Sequence, residues 1–170
     1  MEFKDAIKAR YACKKFDGRP VDEGALAEIL EAGQLAPTAK NLQEQHLYVV
    51  QSAEGLAKVD ELTPCRYGAT TVIVVAFNAT NVFTYPGGER DSGIEDASIV
   101  ATHLMLAAAN AGVDTCWVNF FDPAKAKEAF GLPKDEEVLA MLDLGYAAED
   151  AGPLKPHFER KPLDETVSYL

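Results

Sequence analysis

Apolar positions along the chain recur with two alternating periods, one near 3.6 and one near 2, and turn-forming residues mark the switches. Met1 to Ala9 is a short amphipathic segment with Phe3, Ala6 and Ile7 on one face. Asp17-Gly18-Arg19-Pro20 is a turn, after which Asp22 can cap a helix running to about Leu35. Leu26, Ile29, Leu30 and Gly33 share one face of that helix, and Pro37 ends it. A polar loop, Ala36 to Gln45, leads into a short strand, His46 to Gln51. Ser52 then caps a helix over Ala53 to Leu62. Thr70 to Phe77, rich in valine, has the continuous apolar run of a strand buried on both faces.

Asn78 to Gly93 is a loop of turn formers and aromatics. From about Glu95 to Ala111 runs the most apolar helix, whose hydrophobic positions go nearly all the way round. Such a helix is expected to be buried on more than one side, and Gly112 stops it. Thr115 to Phe121 reads as a strand, Pro123 to Phe130 as a helix closed by Gly131, and Val138 to Leu144 as a further strand. A proline-rich tail from Gly152 to Leu170 carries Arg160 and Lys161.

Neither a linker nor a repeat interrupts this order, so 170 residues are expected to form one domain, 1–170. A formal net charge of −11 argues against nucleic acid and against an anionic membrane surface. The first residues are charged, unlike a signal peptide, and the longest apolar runs are too short to cross a bilayer. Cys13, Cys65 and Cys116 lack paired spacing, which fits free thiols in a reducing cytoplasm. The histidines are equally scattered, and no metal site is expected.

Charge changes this picture at one place. Six of the 16 Lys and Arg residues fall within the first 20 positions, three of them inside Arg10-Tyr11-Ala12-Cys13-Lys14-Lys15-Phe16. A cationic stretch in so acidic a chain points to a bound anion, although cations are also favoured at helix C-termini. Four strands among about five helices fit a doubly wound fold, but no glycine-rich phosphate loop follows a strand. Side chains must then hold any anion. Cys13, beside Lys14 and Lys15, is a candidate thiol of lowered pKa.

Three separated pieces together resemble the FMN-dependent nitroreductase family. Arg10 to Phe16 matches its R-x-S-x-R/K-x-F pattern, and Ala36-Pro37-Thr38-Ala39-Lys40-Asn41-Leu42-Gln43 matches A-P-S-A-x-N-x-Q. Leu144-Gly145-Tyr146 and Arg160-Lys161-Pro162-Leu163 resemble its C-terminal portion. The resemblance implies an α+β fold with a mostly antiparallel central sheet flanked by helices. It also implies a homodimer with FMN at the subunit interface, reduced by NADH or NADPH and reoxidised by a small-molecule acceptor such as a nitroaromatic or quinone.

By the same resemblance, Arg10, Arg160 and Lys161 would hold the FMN phosphate, and Tyr11 and Ala12 would lie along the flavin edge. Lys14 would face the atoms that gain negative charge on reduction. Pro37, Thr38 and Asn41 would come from the partner subunit, and Asn119 and Phe120 would approach the flavin through their backbone. No side chain is required as a catalytic acid or base. Two departures stand out: Ala12 replaces the usual Ser, and Gln43-Glu44-Gln45 replaces Q-P-W, placing an acid near the pocket mouth. Two other readings remain, an FMN storage protein without turnover and a divergent flavin chemistry on the same fold.

Overall fold

The valine-rich segment forms the middle of a four-stranded sheet in the computed structural model, which describes residues 1–170. The chain runs α1 (Phe3–Ala9), α2 (Glu23–Gln34), β1 (Gln45–Val50), α3 (Ala53–Leu62), β2 (Thr71–Asn78), α4 (Gly93–Asn110), β3 (Asp114–Val118), α5 (Pro123–Phe130) and β4 (Glu136–Gly145). The sheet order is β1-β2-β4-β3, and every neighbouring pair is antiparallel. This is the α+β arrangement that the resemblance implied, not a doubly wound one.

Alternation along β2 explains the layering. Val72, Val74 and Ala76 belong to a core shared with α3 and α5, through Val59 and Ala126. Ile73, Val75 and Phe77 belong to the opposite core, with Ile29 of α2 and Val100, Ala101, Leu104 and Ala108 of α4. Fully burying one such side chain is worth roughly 1.5–3 kcal/mol, so this strand anchors both layers. Helices α2 and α4 touch where a Cβ on Gly33 would lie 2.7 Å from Leu104 Cδ2, so a larger residue there would have to push that leucine aside. Asp22 and Ser52 cap α2 and α3 as expected, accepting from Ala25 N–H and Gly55 N–H.

Several expectations are corrected. β3 stops at Val118, whose partner is Met141, because β4 carries a bulge just beyond it: Ala140 faces Val75 while Val138 faces Ala76, leaving Leu139 extra. In the opening helix only Ala6 is buried; Phe3 and Ile7 stay exposed. In the single chain, helix α4 packs against the sheet, α2 and α1, and Ile94 and Ile99 stay 61% and 36% exposed.

The bulge flips which β4 residues face which core. Val138 and Met141 both join the α3/α5 side, whereas Leu142 and Leu144 join the α2/α4 side. Across the former face one row reads Cys116, Asp143, Val72 and Val50, and the Ala12–Thr115 bridge sets Cys13 beside Cys116. The thiols scattered in sequence are thus neighbours around a buried carboxyl. Burial pushes the Cys13 thiol up and, with Asp143 adding to it, the Cys116 thiol up to about 12. The expectation of a lowered Cys13 pKa is therefore overturned: desolvation outweighs two solvated lysines.

Asp143 is 1% exposed and neither of its oxygens has a hydrogen-bond partner. Desolvation raises its carboxyl to about 8; Arg66 opposes this only in part, being held by Asp60 and the Ala69 carbonyl. A pKa raised on folding means the folded state binds more protons, so this group costs stability as pH climbs from about 4 towards 8, by up to ~1.4 kcal/mol per pH unit. Asp143→Asn should therefore gain stability over the native chain as pH rises. Urea unfolding at pH 5 and pH 8 checks this: a difference that does not widen would show the carboxyl to be solvated.

Candidate functional site

The residues expected to bind a cofactor form two groups, one at each end of α4. The first lies along the outer edge of β3. Cys13 N–H donates to the Thr115 carbonyl at 2.9 Å, and this pairing lays Arg10 to Lys14 beside the strand. Arg10 closes α1 and borders, with Tyr11, a shallow cavity walled by Ala109, Gly112 and Asp114. Burial and the nearby Asp114 carboxylate keep the Tyr11 hydroxyl protonated far above neutral pH. Asn119 and Phe120 continue from β3: Asn119 Oδ1 accepts from Trp117 Nε1 at 2.6 Å, while Phe120 is 73% exposed.

Within this group the cations divide sharply. Lys15 is paired with Asp150, and Arg19 with Asp17, so both are neutralised. Arg10 and Lys14 pair with no carboxylate; the Lys14 ammonium rests only near the Tyr67 ring, 5.9 Å from its centroid. In a chain of net charge −11, these two open cations four residues apart leave this edge locally positive. The tail reaches the same edge, since the His157 ring meets Tyr11 edge-on at 6.5 Å. There Arg160 turns its guanidinium onto the carbonyls of His157 and Glu159, and Lys161 lies 4.0 Å from Glu165.

The second group is the loop after α2. Pro37 is exposed, Thr38 Oγ1 accepts from Gln43 N–H at 3.0 Å, and Asn41 is exposed. Lys40, Asn41 and Gln43 have φ of 53°, 54° and 57°, a left-handed backbone that non-glycine residues rarely hold. Such conformations cost of order 1–3 kcal/mol each and persist only where surroundings impose them. Besides Thr38, the loop is held by Asp96, in the first turn of α4. Its Oδ1 accepts from Ala39 N–H at 3.0 Å and its Oδ2 from Ser92 Oγ at 2.7 Å.

Asp96 was missed from sequence because its role is long-range; the only local signal is the i, i+4 spacing from Ser92 at a helix start. Glu44 also differs from expectation. It is 6% exposed, lies behind the loop instead of at a pocket mouth, and leaves both oxygens without a partner. Burial first, and Asp96 second, raise its pKa.

At about 1.5 Å per residue, α4 separates Asp96 from Ala109 by roughly 20 Å. One chain therefore keeps the two groups, a cationic edge and a strained loop, well apart. No cluster of three or more His, Cys, Asp or Glu residues has metal-binding geometry, and no helix is long and apolar enough to cross a membrane.

Comparison with known proteins agrees with this anatomy. A crystal structure of a nitroreductase family protein from Clostridium difficile 630 superposes with a TM-score of 0.92 at 34% identity, covering 99% of this chain and 98% of that one. A structure from Exiguobacterium sibiricum, in complex with FMN, superposes at 0.87 with 22% identity over 100% of this chain and 98% of its own. The NADH dehydrogenase of Thermus thermophilus is 27% identical over 206 aligned positions, spanning 98% of this chain and 95% of that protein. The model of the nitroreductase family matches residues 7–66 and 64–146, and with the fold this establishes that the chain belongs to the nitroreductase family.

Proposed function

We propose that this chain is an FMN-dependent oxidoreductase, acting as a homodimer, that takes electrons from NADH or NADPH and delivers them in pairs to an electron-poor acceptor such as a nitroaromatic or quinone. The observation that carries the reading is the pair Arg10 and Lys14, laid beside β3 with no carboxylate partner, while Lys15 and Arg19 just after it are neutralised. A phosphomonoester and a ring that gains negative charge on reduction are the two anions one such edge can serve. The FMN complex from Exiguobacterium sibiricum and the NADH dehydrogenase of Thermus thermophilus supply relatives of matching chemistry.

When bound, FMN supplies the hydride and electron transfer; the chain supplies position and charge. Arg10 binds the phosphate with its planar fork, joined by Arg160 and Lys161 from the tail. Tyr11 and Ala12 line the flavin edge, with a backbone contact at position 12 in place of the usual hydroxyl. Lys14 stabilises the charge that reduction adds, and Asn119 and Phe120 close the same edge through their backbone. Pro37, Thr38 and Asn41 come from the second chain.

The dimer follows from the separation of the two groups and from unfinished apolar surface. Two α4 helices packed antiparallel about a twofold axis would set the loop of one chain against the Arg10 edge of the other. Ile94 and Ile99 on α4, Phe3 on α1, and Phe158, Leu163 and Tyr169 on the tail are all exposed in the single chain. Obligate interfaces of this kind bury more than ~2,000 Å².

The purified chain should take up FMN noncovalently, release it on heating, sediment as a dimer at micromolar concentration, and lose its flavin colour under NADH without oxygen. A chain that binds FMN but is not bleached by either nicotinamide would be a carrier. Lys14→Met should weaken FMN modestly and lower its midpoint potential by about 30–60 mV, the equivalent of one charge-assisted contact. Arg10→Met should loosen FMN severely while hardly moving the potential. Equal losses of affinity with unchanged potentials would remove the tuning role from Lys14.

A further inference from the structure

Lys40 lies in the strained loop between Thr38 and Asn41, with φ of 53°, and its ammonium is not left to solvent alone. Its ammonium stands 4.8 Å from the centroid of Phe83, in the segment between β2 and α4. That segment is itself fixed. Thr84 bridges Asp91, Phe83 N–H donates to Ser92 Oγ at 3.3 Å, and Ser92 N–H donates to the Phe83 carbonyl at 2.9 Å. Ser92 Oγ in turn donates to Asp96, which also holds Ala39 N–H. Loop and segment are thus tied through one carboxylate, and Lys40 and Phe83 are held face to face by a closed circuit of hydrogen bonds.

The charges in this circuit are unequal. Arg90, over the Tyr85 ring at 5.0 Å, is neutralised by Glu95, which also accepts from Tyr85 OH at 2.8 Å. Lys40 has no carboxylate partner and makes no hydrogen bond, and an aromatic face positions a cation without cancelling its charge. Phe83 adds a half-exposed flat ring to that fixed positive charge.

We infer that Lys40 and Phe83 form the acceptor-recognition pair of this protein and select flat aromatic acceptors that carry an anionic group, such as a carboxylate. This rests on the flavin reading above, in which Thr38 and Asn41 border the ring. Lys40 then stands at the ring's rim, where an acceptor must stack to within about 3–3.5 Å to react. Phe83 offers the acceptor a second aromatic surface, Lys40 meets its carboxylate, and Asp96 is the positioning residue that keeps both in place.

The test uses the FMN-loaded protein and two unreactive probes of equal shape, benzoate and benzamide, titrated while the flavin absorption spectrum is followed. Benzoate should bind at least about tenfold more tightly than benzamide, the worth of one charge-assisted contact. Lys40→Met should erase that preference without changing the FMN content, and Lys40→Arg should keep it. Equal binding of the probes, no spectral change with either, or loss of FMN from Lys40→Met would overturn the inference. A chain that loads FMN and is bleached by NADH yet treats both probes alike overturns this inference alone. A chain that takes up no FMN overturns the flavin reading with it.

Discussion

The antiparallel pairing of β2 with β4, buried on both faces, is the constraint on which the rest of the molecule depends. A sheet of four strands has only two interior strands, and here both are sealed between helical layers. Every element that carries a candidate residue is placed by its distance from that pair. β3 lies on one flank and offers its outer edge to the Arg10 segment; β1 lies on the other and starts where the strained loop ends. Helix α4, laid across one face, is the ruler that sets the two groups of candidate residues apart.

The sequence was most informative where local chemistry and global packing agree. The caps at Asp22 and Ser52, the stop at Gly112 and the valine run of β2 are short-range signals, and the structure uses each as expected. The motifs around Arg10 and Pro37 were legible because a cofactor edge and a strained loop need particular residue types at fixed spacing. What escaped was non-local. Nothing near Cys13, Cys116 or Asp143 announces that β3, β4 and the segment bridged to β3 will bring them together. Nor does anything near Ala39 announce a carboxylate arriving from position 96.

Opposite outcomes for neighbouring ionisable groups follow from the same physics. Lys15 and Arg19 find carboxylates at the surface, where pairing costs little and contributes little. Asp143 and Glu44 are enclosed without a partner, and burial raises the pKa of both. Arg10, Lys14 and Lys40 belong to neither class, being accessible, charged and uncompensated. Lys4, Lys8, Lys125 and Lys134 are unpaired as well, so what distinguishes Arg10, Lys14 and Lys40 is where the backbone puts them.

The bulge at Leu139 makes β4 forgiving of a shortening at one place only. Removing Leu139 would leave Val138 opposite Ala76 and Ala140 opposite Val75, now as consecutive residues of a regular ladder. Met141 would still meet α3 and α5, and Leu142 and Leu144 would still meet α2 and α4. Removing a residue between Met141 and Leu144 has no spare position to absorb it, and would turn the neighbouring side chains to the opposite layer. The strand thus carries one residue of slack, stored at the end remote from Asp143 and its thiol neighbours.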